Sequence, residues 1–164
     1  MNICLIGHGI PCLILANVLT NKNIKISIFD EGNYKKNFET RTLGIAKKNI
    51  DFLKKESISL ENNAWFINNI KIFNESQNNK EILNFGPVDG KLFSIIKYTK
   101  FINLLKKNIK KKKLVHFINK NKTAFYNSII NNKKKFDLIV NFNENNKISK
   151  ELFFRKQYKN YNSL

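Results

Sequence analysis

The sequence opens on ICLIGHGIPCLILANVL, residues 3–19, an apolar stretch that two closely spaced glycines interrupt. Asn2–Ile6 is a short apolar run typical of a parallel strand buried on both faces. From Leu13 onward the apolar positions recur at helical spacing. Pro11 suits the first turn of a helix, where a missing N–H costs nothing. The stretch therefore predicts a strand, a glycine turn and a helix.

A second strand follows and completes a βαβ unit. The polar residues 21–23 end the predicted helix, and the isoleucines of 24–29 alternate as they do in a strand. The whole unit has about the minimum length that a parallel crossover needs. The predicted fold class is therefore α/β, with a Rossmann-like βαβ unit in a parallel sheet.

The glycine turn has nearly the G-x-G-x-x-G spacing of dinucleotide-binding proteins. Gly7 would permit the tight turn, and Gly9 would let a pyrophosphate approach the backbone at the positive helix N-terminus. Cys12 occupies the third glycine position and adds a side chain where helix and strand pack closely. Asp30, with Glu31 as the alternative, stands where an acid binds ribose hydroxyls. The competing interpretation is a βαβ unit whose glycines only make a turn.

The net charge of +18 suggests a nucleic-acid partner, but its composition argues against one. Almost all of it is lysine, since Arg41 and Arg155 are the only arginines, whereas nucleic-acid recognition favours the planar arginine fork. Lysine, asparagine, isoleucine and phenylalanine share AT-rich codons, so genome bias explains the charge. We expect no specific nucleic-acid binding. A basic nucleic-acid-binding protein remains an alternative, as does another Rossmann enzyme that uses NAD or S-adenosylmethionine.

The remaining chemistry in the sequence is sparse. Cys4 and Cys12 lack C-x-x-C spacing and are expected to be small buried residues in a reducing compartment. We see no metal cluster and no nucleophile motif. The opening stretch lacks the features of a signal peptide or a membrane span, which indicates a cytoplasmic protein. The lysine run 110–113 keeps a peripheral contact with the inner membrane as a minor alternative.

The rest of the chain mixes helical and extended patterns. Two helices are predicted from apolar spacing, at 42–55 and from 101 into the lysine run. Six extended runs are predicted as strands, at 65–73, 81–85, 93–97, 114–118, 123–130 and 136–140. We expect the first three to form an antiparallel patch and the last to join the sheet of the βαβ unit.

This order of elements, with the segment TRTLGIAKKNIDFLKK (residues 40–55), resembles the flavin-dependent aromatic-ring monooxygenases. The similarity is greatest to the ring hydroxylases of ubiquinone biosynthesis, relatives of para-hydroxybenzoate hydroxylase. Three further segments carry it: WFINNIKIFNES (65–76), LFSIIKYTKFINLLKKNI (92–109) and FDLIVNFNENNKISK (136–150). The chain departs from the family at Cys12, and at Asn143-Glu144, where the family has Asp-Gly.

The resemblance implies a set of expectations about function. It implies FAD as cofactor, NAD(P)H as reductant and a small aromatic substrate that is a quinone precursor. It implies a single, apparently truncated FAD-binding domain over 1–164, with a substrate-side β insertion at 65–98. It names no catalytic residue in this chain, and it implies that Arg41, before a helix, approaches the cofactor. The cofactor-binding residues expected are Gly7, Gly9, Cys12, Asp30, Glu31 and Arg41.

Overall fold

The computed structural model describes residues 1–30, 40–86, 92–118, 121–131, 136–143 and 146–152. Within these ranges the strands are β1 (Asn2–Ile6), β2 (Lys25–Phe29), β3 (Thr42–Ala46), β4 (Ala64–Ile67), β5 (Ile70–Asn74), β6 (Lys80–Phe85), β7 (Phe93–Lys97), β8 (Val115–Phe117) and β9 (Leu138–Asn141). The helices are α1 (Ile10–Asn21), α2 (Lys47–Lys55), α3 (Tyr98–Lys110), α4 (Lys122–Ile130) and α5 (Lys147–Leu152), and Glu75–Gln77 forms a short 3-10 helix.

The chain divides into two compact units. Met1–Gly32 and Lys112–Leu164 make the first, which we call the parallel unit, and Asn33–Lys111 make the second, the antiparallel unit. The parallel unit holds a four-stranded sheet in the order β8-β2-β1-β9. The antiparallel unit holds a three-stranded sheet, β3-β7-β4, and the two-stranded β5-β6. The predicted α/β class is confirmed, while the prediction of one truncated domain over 1–164 with an insertion at 65–98 stays a prediction.

Every strand pair of the four-stranded sheet is parallel. In β1 the four residues from Ile3 to Ile6 are buried, because a purely parallel sheet is covered on both faces. The register places Ile6 level with Phe29 of β2 on one side and Asn141 of β9 on the other. The predicted βαβ unit is therefore confirmed, and so is the prediction that 136–140 joins its sheet.

Helix α1 starts and stops where the sequence predicts. Pro11 lies in its first turn. Past its end, Asn23 adopts the left-handed conformation (φ 60°) that commonly closes helices. The ammonium of Lys112 donates to the Asn17 carbonyl at 3.0 Å and to Oδ1 of Asn21 at 2.6 Å. A positive charge there faces the negative pole of the helix, which stabilises it.

The predicted strand at 123–130 is wrong, because these residues form α4. The Asn121 side chain accepts the N–H of Thr123 and caps the helix. Phe125, Tyr126 and Ile129 then share a buried face in one core cluster with Cys4, Ile6 and Phe29 of the sheet and Ile148 of α5. Aromatic and β-branched residues favour strands by themselves, but packing of an amphipathic face outweighs that preference.

Two predictions in the antiparallel unit also need correction. The predicted helix over 42–55 is a strand followed by a helix, because β3 pairs antiparallel with β7 before α2 begins. The alternation of Leu43 and Ile45 is the strand signal that the helical spacing concealed. The predicted single strand over 65–73 is two strands, β4 and β5, in different sheets. The expected antiparallel patch is thus split between two sheets and gains β3.

The β5–β6 hairpin exposes apolar side chains. By strand alternation, Ile70 and Ile72 of β5 share one face with Leu83 and Phe85 of β6. All four side chains are exposed. The pair formed by Lys71 Nζ and Glu81 Oε2, 2.8 Å apart, joins the two strands. The hydrogen bond from Lys71 lowers the pKa of Glu81 below its usual value.

Helix α3 is amphipathic. It buries Phe101, Leu105 and Ile109, and lysines and Asn103 line a shallow groove elsewhere on its surface. Those lysines are Lys106, Lys107, Lys110 and Lys111. None of the helices in the described ranges combines the length and the hydropathy that a membrane crossing demands.

Candidate nucleotide site

The candidate site lies at the carboxyl edge of the four-stranded sheet. The registers bring the carboxyl ends of β1, β2 and β9 level, so the residues that follow them meet at one edge. Across the sheet the order is β8-β2-β1-β9. The strands that follow β1 in the chain are added first on one side of it, and β9 is then added on the other side, so the order reverses beside β1. Ligands of open α/β sheets bind in the crevice at such a reversal. Gly7 follows β1 at this point and Phe142 follows β9.

Gly7 is required by the fold itself. Its φ of +136° is a conformation that L side chains rarely adopt, and a Cβ added there would lie 3.0 Å from Cβ of Phe142. Its N–H donates to the Phe29 carbonyl at 2.9 Å, and the N–H of Phe142 donates to the Ile6 carbonyl at 2.9 Å. The turn is therefore tied to β2, and β9 to β1, by backbone hydrogen bonds.

Gly9 has a different environment. It caps α1 with φ −70° and ψ 170°, an extended conformation that any residue can adopt. Among the described residues, a Cβ added at Gly9 would meet only Cδ of Pro11, at an ordinary contact distance of 3.7 Å. Nothing in the described parts of the chain therefore requires a glycine at this position. The described fold does not require glycine here, and the absence of a side chain at Gly9 leaves room beside the helix N-terminus.

The start of α1 carries a positive partial charge. Among the described residues no side-chain hydrogen bond caps it, and its first turn contains no acidic residue. The Gly9 carbonyl accepts the N–H of Leu13 at 3.1 Å, which is the first hydrogen bond of the helix. Backbone N–H groups at such a terminus attract anions. The space at Gly9 opens onto this end of the helix.

Cys12, at the third glycine position, bonds to the glycine turn. It is fully buried, and its Sγ donates to the Gly7 carbonyl at 3.3 Å. Burial, with smaller effects from Asp30 and Cys4, raises the pKa of the Cys12 thiol to about 12. The thiol is therefore protonated and a poor nucleophile at neutral pH. The side chain that replaces the third glycine is thus accommodated as a buried hydrogen-bond donor to the turn.

Asp30 is held by a residue of the glycine turn. Its Oδ1 lies 3.1 Å from Nδ1 of His8, which is within hydrogen-bond distance. The side chains of His8 and Asp30 are 25% and 31% exposed, so the pair lies at the surface of the edge. Sequence reasoning found Asp30 but gave His8 no role. The only signal was its position between Gly7 and Gly9.

The other predicted site residues are Glu31 and Arg41. Glu31 falls outside the described residues. Arg41 belongs to the antiparallel unit, where it is exposed and its Cζ lies 5.8 Å from the centre of the Tyr98 ring. Arg41 precedes the strand β3, so the helix predicted to start at residue 42 does not follow it directly, and its approach to the cofactor stays a prediction. The early residues of TRTLGIAKK pair with β7, which removes them from the helix.

A polar network at the end of β9 was missed by sequence reasoning. The Asn141 amide donates to Oδ1 of Asn146 at 3.0 Å and to Oγ of Ser149 at 2.8 Å. The Asn146 Oδ1 also accepts the N–H of Ser149, which caps α5. Asn143 donates its N–H to Oδ1 of Asn141 at 3.1 Å. The available signal was Asn146 directly before a short amphipathic segment.

Comparison with known proteins identifies the fold. Neither a protein-family model nor a curated protein sequence matches this chain. The p-nitrophenol 4-monooxygenase PnpA from Pseudomonas putida DLL-E4 matches with a TM-score of 0.59 and 10% identity, over 71% of this chain and 31% of PnpA. PqsL, a probable FAD-dependent monooxygenase from Pseudomonas aeruginosa, matches with a TM-score of 0.58 and 12% identity, over 72% and 32%. The fold is one that flavin-dependent monooxygenases use.

A third match has a bound cofactor. CtdE, solved in complex with FAD and a substrate, matches with a TM-score of 0.53 and 18% identity, over 71% of this chain and 30% of CtdE. This chain spans about a third of the length of these proteins. At such low identities the likeness establishes the fold. The described residues contain no group of three or more His, Cys, Asp or Glu side chains that could hold a metal ion.

Proposed function

We propose that this chain binds the ADP part of FAD and serves as the FAD-binding portion of a flavin-dependent monooxygenase that acts on a small aromatic molecule. The observation that carries the proposal is Gly9. A glycine that the described fold does not require, at the open N-terminus of the helix after β1, fits a pyrophosphate that must approach the backbone.

The neighbouring residues fit the rest of the ADP group. Asp30 stands at the end of β2, where a carboxylate can accept hydrogen bonds from ribose hydroxyls. Gly7 sets the turn, and Cys12 braces it by donating to the Gly7 carbonyl. We propose Gly7, Gly9, Cys12 and Asp30 as the cofactor-binding residues, with Glu31 and Arg41 as further candidates. When bound, the flavin would be reduced by NAD(P)H. It would then use oxygen to hydroxylate an electron-rich ring.

The substrate, the reductant, the location and the role of 65–98 are supported by single observations or by the resemblance alone. A small aromatic substrate agrees with PqsL, which has been solved in complex with 2-aminobenzoylacetate. A ring hydroxylase of ubiquinone biosynthesis, and NAD(P)H as the reductant, rest on the sequence resemblance. A cytoplasmic location rests on the sequence pattern alone, and a peripheral contact with the inner membrane rests on the lysine run 110–113. The assignment of 65–98 as a substrate-side insertion likewise rests on the resemblance.

Titration of FAD and ADP by calorimetry tests the proposal. We expect the chain to bind both, and Gly9→Val to abolish binding while circular dichroism and thermal unfolding stay near those of the wild type. Gly44→Val is the matched control, because Gly44 lies in β3 of the other unit and an added Cβ there meets only ordinary contacts. We expect Asp30→Ala to weaken ADP binding by about 1.5–3 kcal/mol, the value of a hydrogen bond to a charged group.

Two results would contradict the proposal. One is a wild-type chain that binds neither FAD nor ADP. The other is a folded Gly9→Val variant with unchanged affinity, which would mean that Gly9 makes only a turn.

A further inference from the structure

His8, which the glycine pattern leaves unspecified, contacts Asp30. His8 lies between the two glycines of the turn, and its Nδ1 is 3.1 Å from Oδ1 of Asp30 at the end of the next strand. A protonated Nδ1 donates to a carboxylate in the neutral tautomer and in the imidazolium alike. The contact therefore joins the turn after β1 to the acid after β2.

The position of this contact fixes the acid relative to the turn. The backbone on both sides is anchored, since Gly7 donates to the Phe29 carbonyl and β1 pairs with β2 up to Ile6 and Phe29. The Asp30 side chain is short and partly exposed, so its rotamers are open to solvent unless a neighbour holds them. A carboxylate has about four lone-pair sites on two oxygens, so one bond from a histidine is compatible with bonds from a ligand.

We propose that His8 is a positioning residue that holds the Asp30 carboxylate in the orientation that accepts the ribose hydroxyls of an adenine nucleotide. This inference rests on the proposed nucleotide site. It goes beyond that site because His8 acts through Asp30, without itself bonding to the pyrophosphate. Holding the carboxylate in place before the ligand arrives lowers the ordering cost of binding.

The charged and titratable groups around the pair are consistent with this role. Burial and, to a smaller extent, the negative charge of Asp30 raise the pKa of the Cys12 thiol. Cys12 in turn donates to the Gly7 carbonyl. Cys12 thus bonds to the turn, and His8 is the residue of the turn that reaches Asp30.

The test separates a positioning role from a structural one by changing the ligand. ADP and 2′,3′-dideoxy-ADP are titrated by calorimetry into the wild type, His8→Ala, His8→Asn and Asp30→Ala, and into the double variant. We expect His8→Ala to weaken ADP binding about tenfold, the factor that corresponds to one typical net hydrogen bond, and to leave dideoxy-ADP binding unchanged. The amide N–H₂ of asparagine takes a place near Nδ1, so His8→Asn should restore most of the affinity.

Two further measurements complete the test. In the Asp30→Ala background, His8→Ala should cause no additional loss, because the two residues act as one unit. His116→Ala is the matched control, since it removes the same ring from an exposed position on β8 and should leave both affinities unchanged.

The outcomes distinguish the two proposals. Equal losses for ADP and dideoxy-ADP would assign His8 to the turn structure and overturn the inference. Unchanged or tighter ADP binding in His8→Ala would overturn it as well, the latter by showing that His8 competes with the ribose. In each of these cases the proposed function still stands if nucleotide binding is lost in Gly9→Val. A wild type that binds no nucleotide would overturn both.

Discussion

The parallel and antiparallel units use apolar residues in opposite ways. In β1 the side chains of Cys4, Leu5 and Ile6 are completely buried, whereas Ile72 and Phe85 of the hairpin keep close to half of their surface exposed. A parallel sheet needs cover on both faces, while an antiparallel hairpin can leave a face open. The comparison shows why the candidate site has well-defined geometry. It stands at the carboxyl end of the buried strand β1, where neighbouring backbone groups are held by hydrogen bonds.

The largest expected effect tests this contrast in packing. Leu5→Ala should lower the free energy of unfolding by about 2–5 kcal/mol, because it leaves a cavity in an enclosed core. Ile72→Ala in the hairpin should change it by no more than about 0.5 kcal/mol, as is usual for exposed side chains. Urea unfolding followed by circular dichroism measures both. Similar losses for the two variants would show that the hairpin is covered in solution.

The next effect compares one glycine from each unit. Gly7→Ala should cost about 1–3 kcal/mol from backbone strain, and more from the approach to Phe142, because φ is +136° at Gly7. Gly44→Ala should be nearly neutral, since an added Cβ meets Phe93 only at 3.7 Å. Thermal unfolding of both variants checks the difference. If Gly7→Ala unfolds at the same temperature as the wild type, the turn does not require the backbone conformation seen at Gly7.

The smallest effect concerns pH and one titratable group from each unit. The folded-state pKa of Cys12 is raised from 9.0 to about 12, so its contribution to stability is present below pH 9 and is lost as pH rises toward 12. The folded-state pKa of Glu81 is lowered by Lys71, so its contribution is present above the ordinary carboxyl pKa and is lost as pH falls. The exposed Glu81 pair should contribute little.

Urea unfolding between pH 7 and 10.5 measures the Cys12 contribution. The wild type should lose stability with rising pH more steeply than Cys12→Ala, because only the wild type has the Cys12 thiol, which ionises more readily when unfolded. Parallel pH profiles for the two proteins would mean that Cys12 is accessible to solvent in the folded chain. Lys71→Met should leave the profile in this range unchanged.

Much of the candidate site could be predicted from the sequence because it depends on local pattern. The spacing of Gly7 and Gly9 after an apolar run, and Asp30 after the next one, follows from the length of a βαβ unit. The role of His8 could not be predicted, because the contact with Asp30 depends on the register of β1 against β2. The polar network of Asn141, Asn146 and Ser149 likewise depends on the folding of α5 back onto β9.

The sequence by itself determined the elements whose periodicity is unambiguous. The buried run of β1, the helix after it and the alternation of β2 each satisfy one pattern, and their pairing follows from a short crossover. Only the tertiary structure decided the elements whose residues satisfy two patterns. Segment 42–46 became a strand because β7 offers it hydrogen bonds, and 123–130 became a helix because Phe125 stacks on Phe29 with ring centres 3.8 Å apart. Propensity differences between helix and strand are at most about 1 kcal/mol per residue, so hydrogen-bond partners and burial outweigh them.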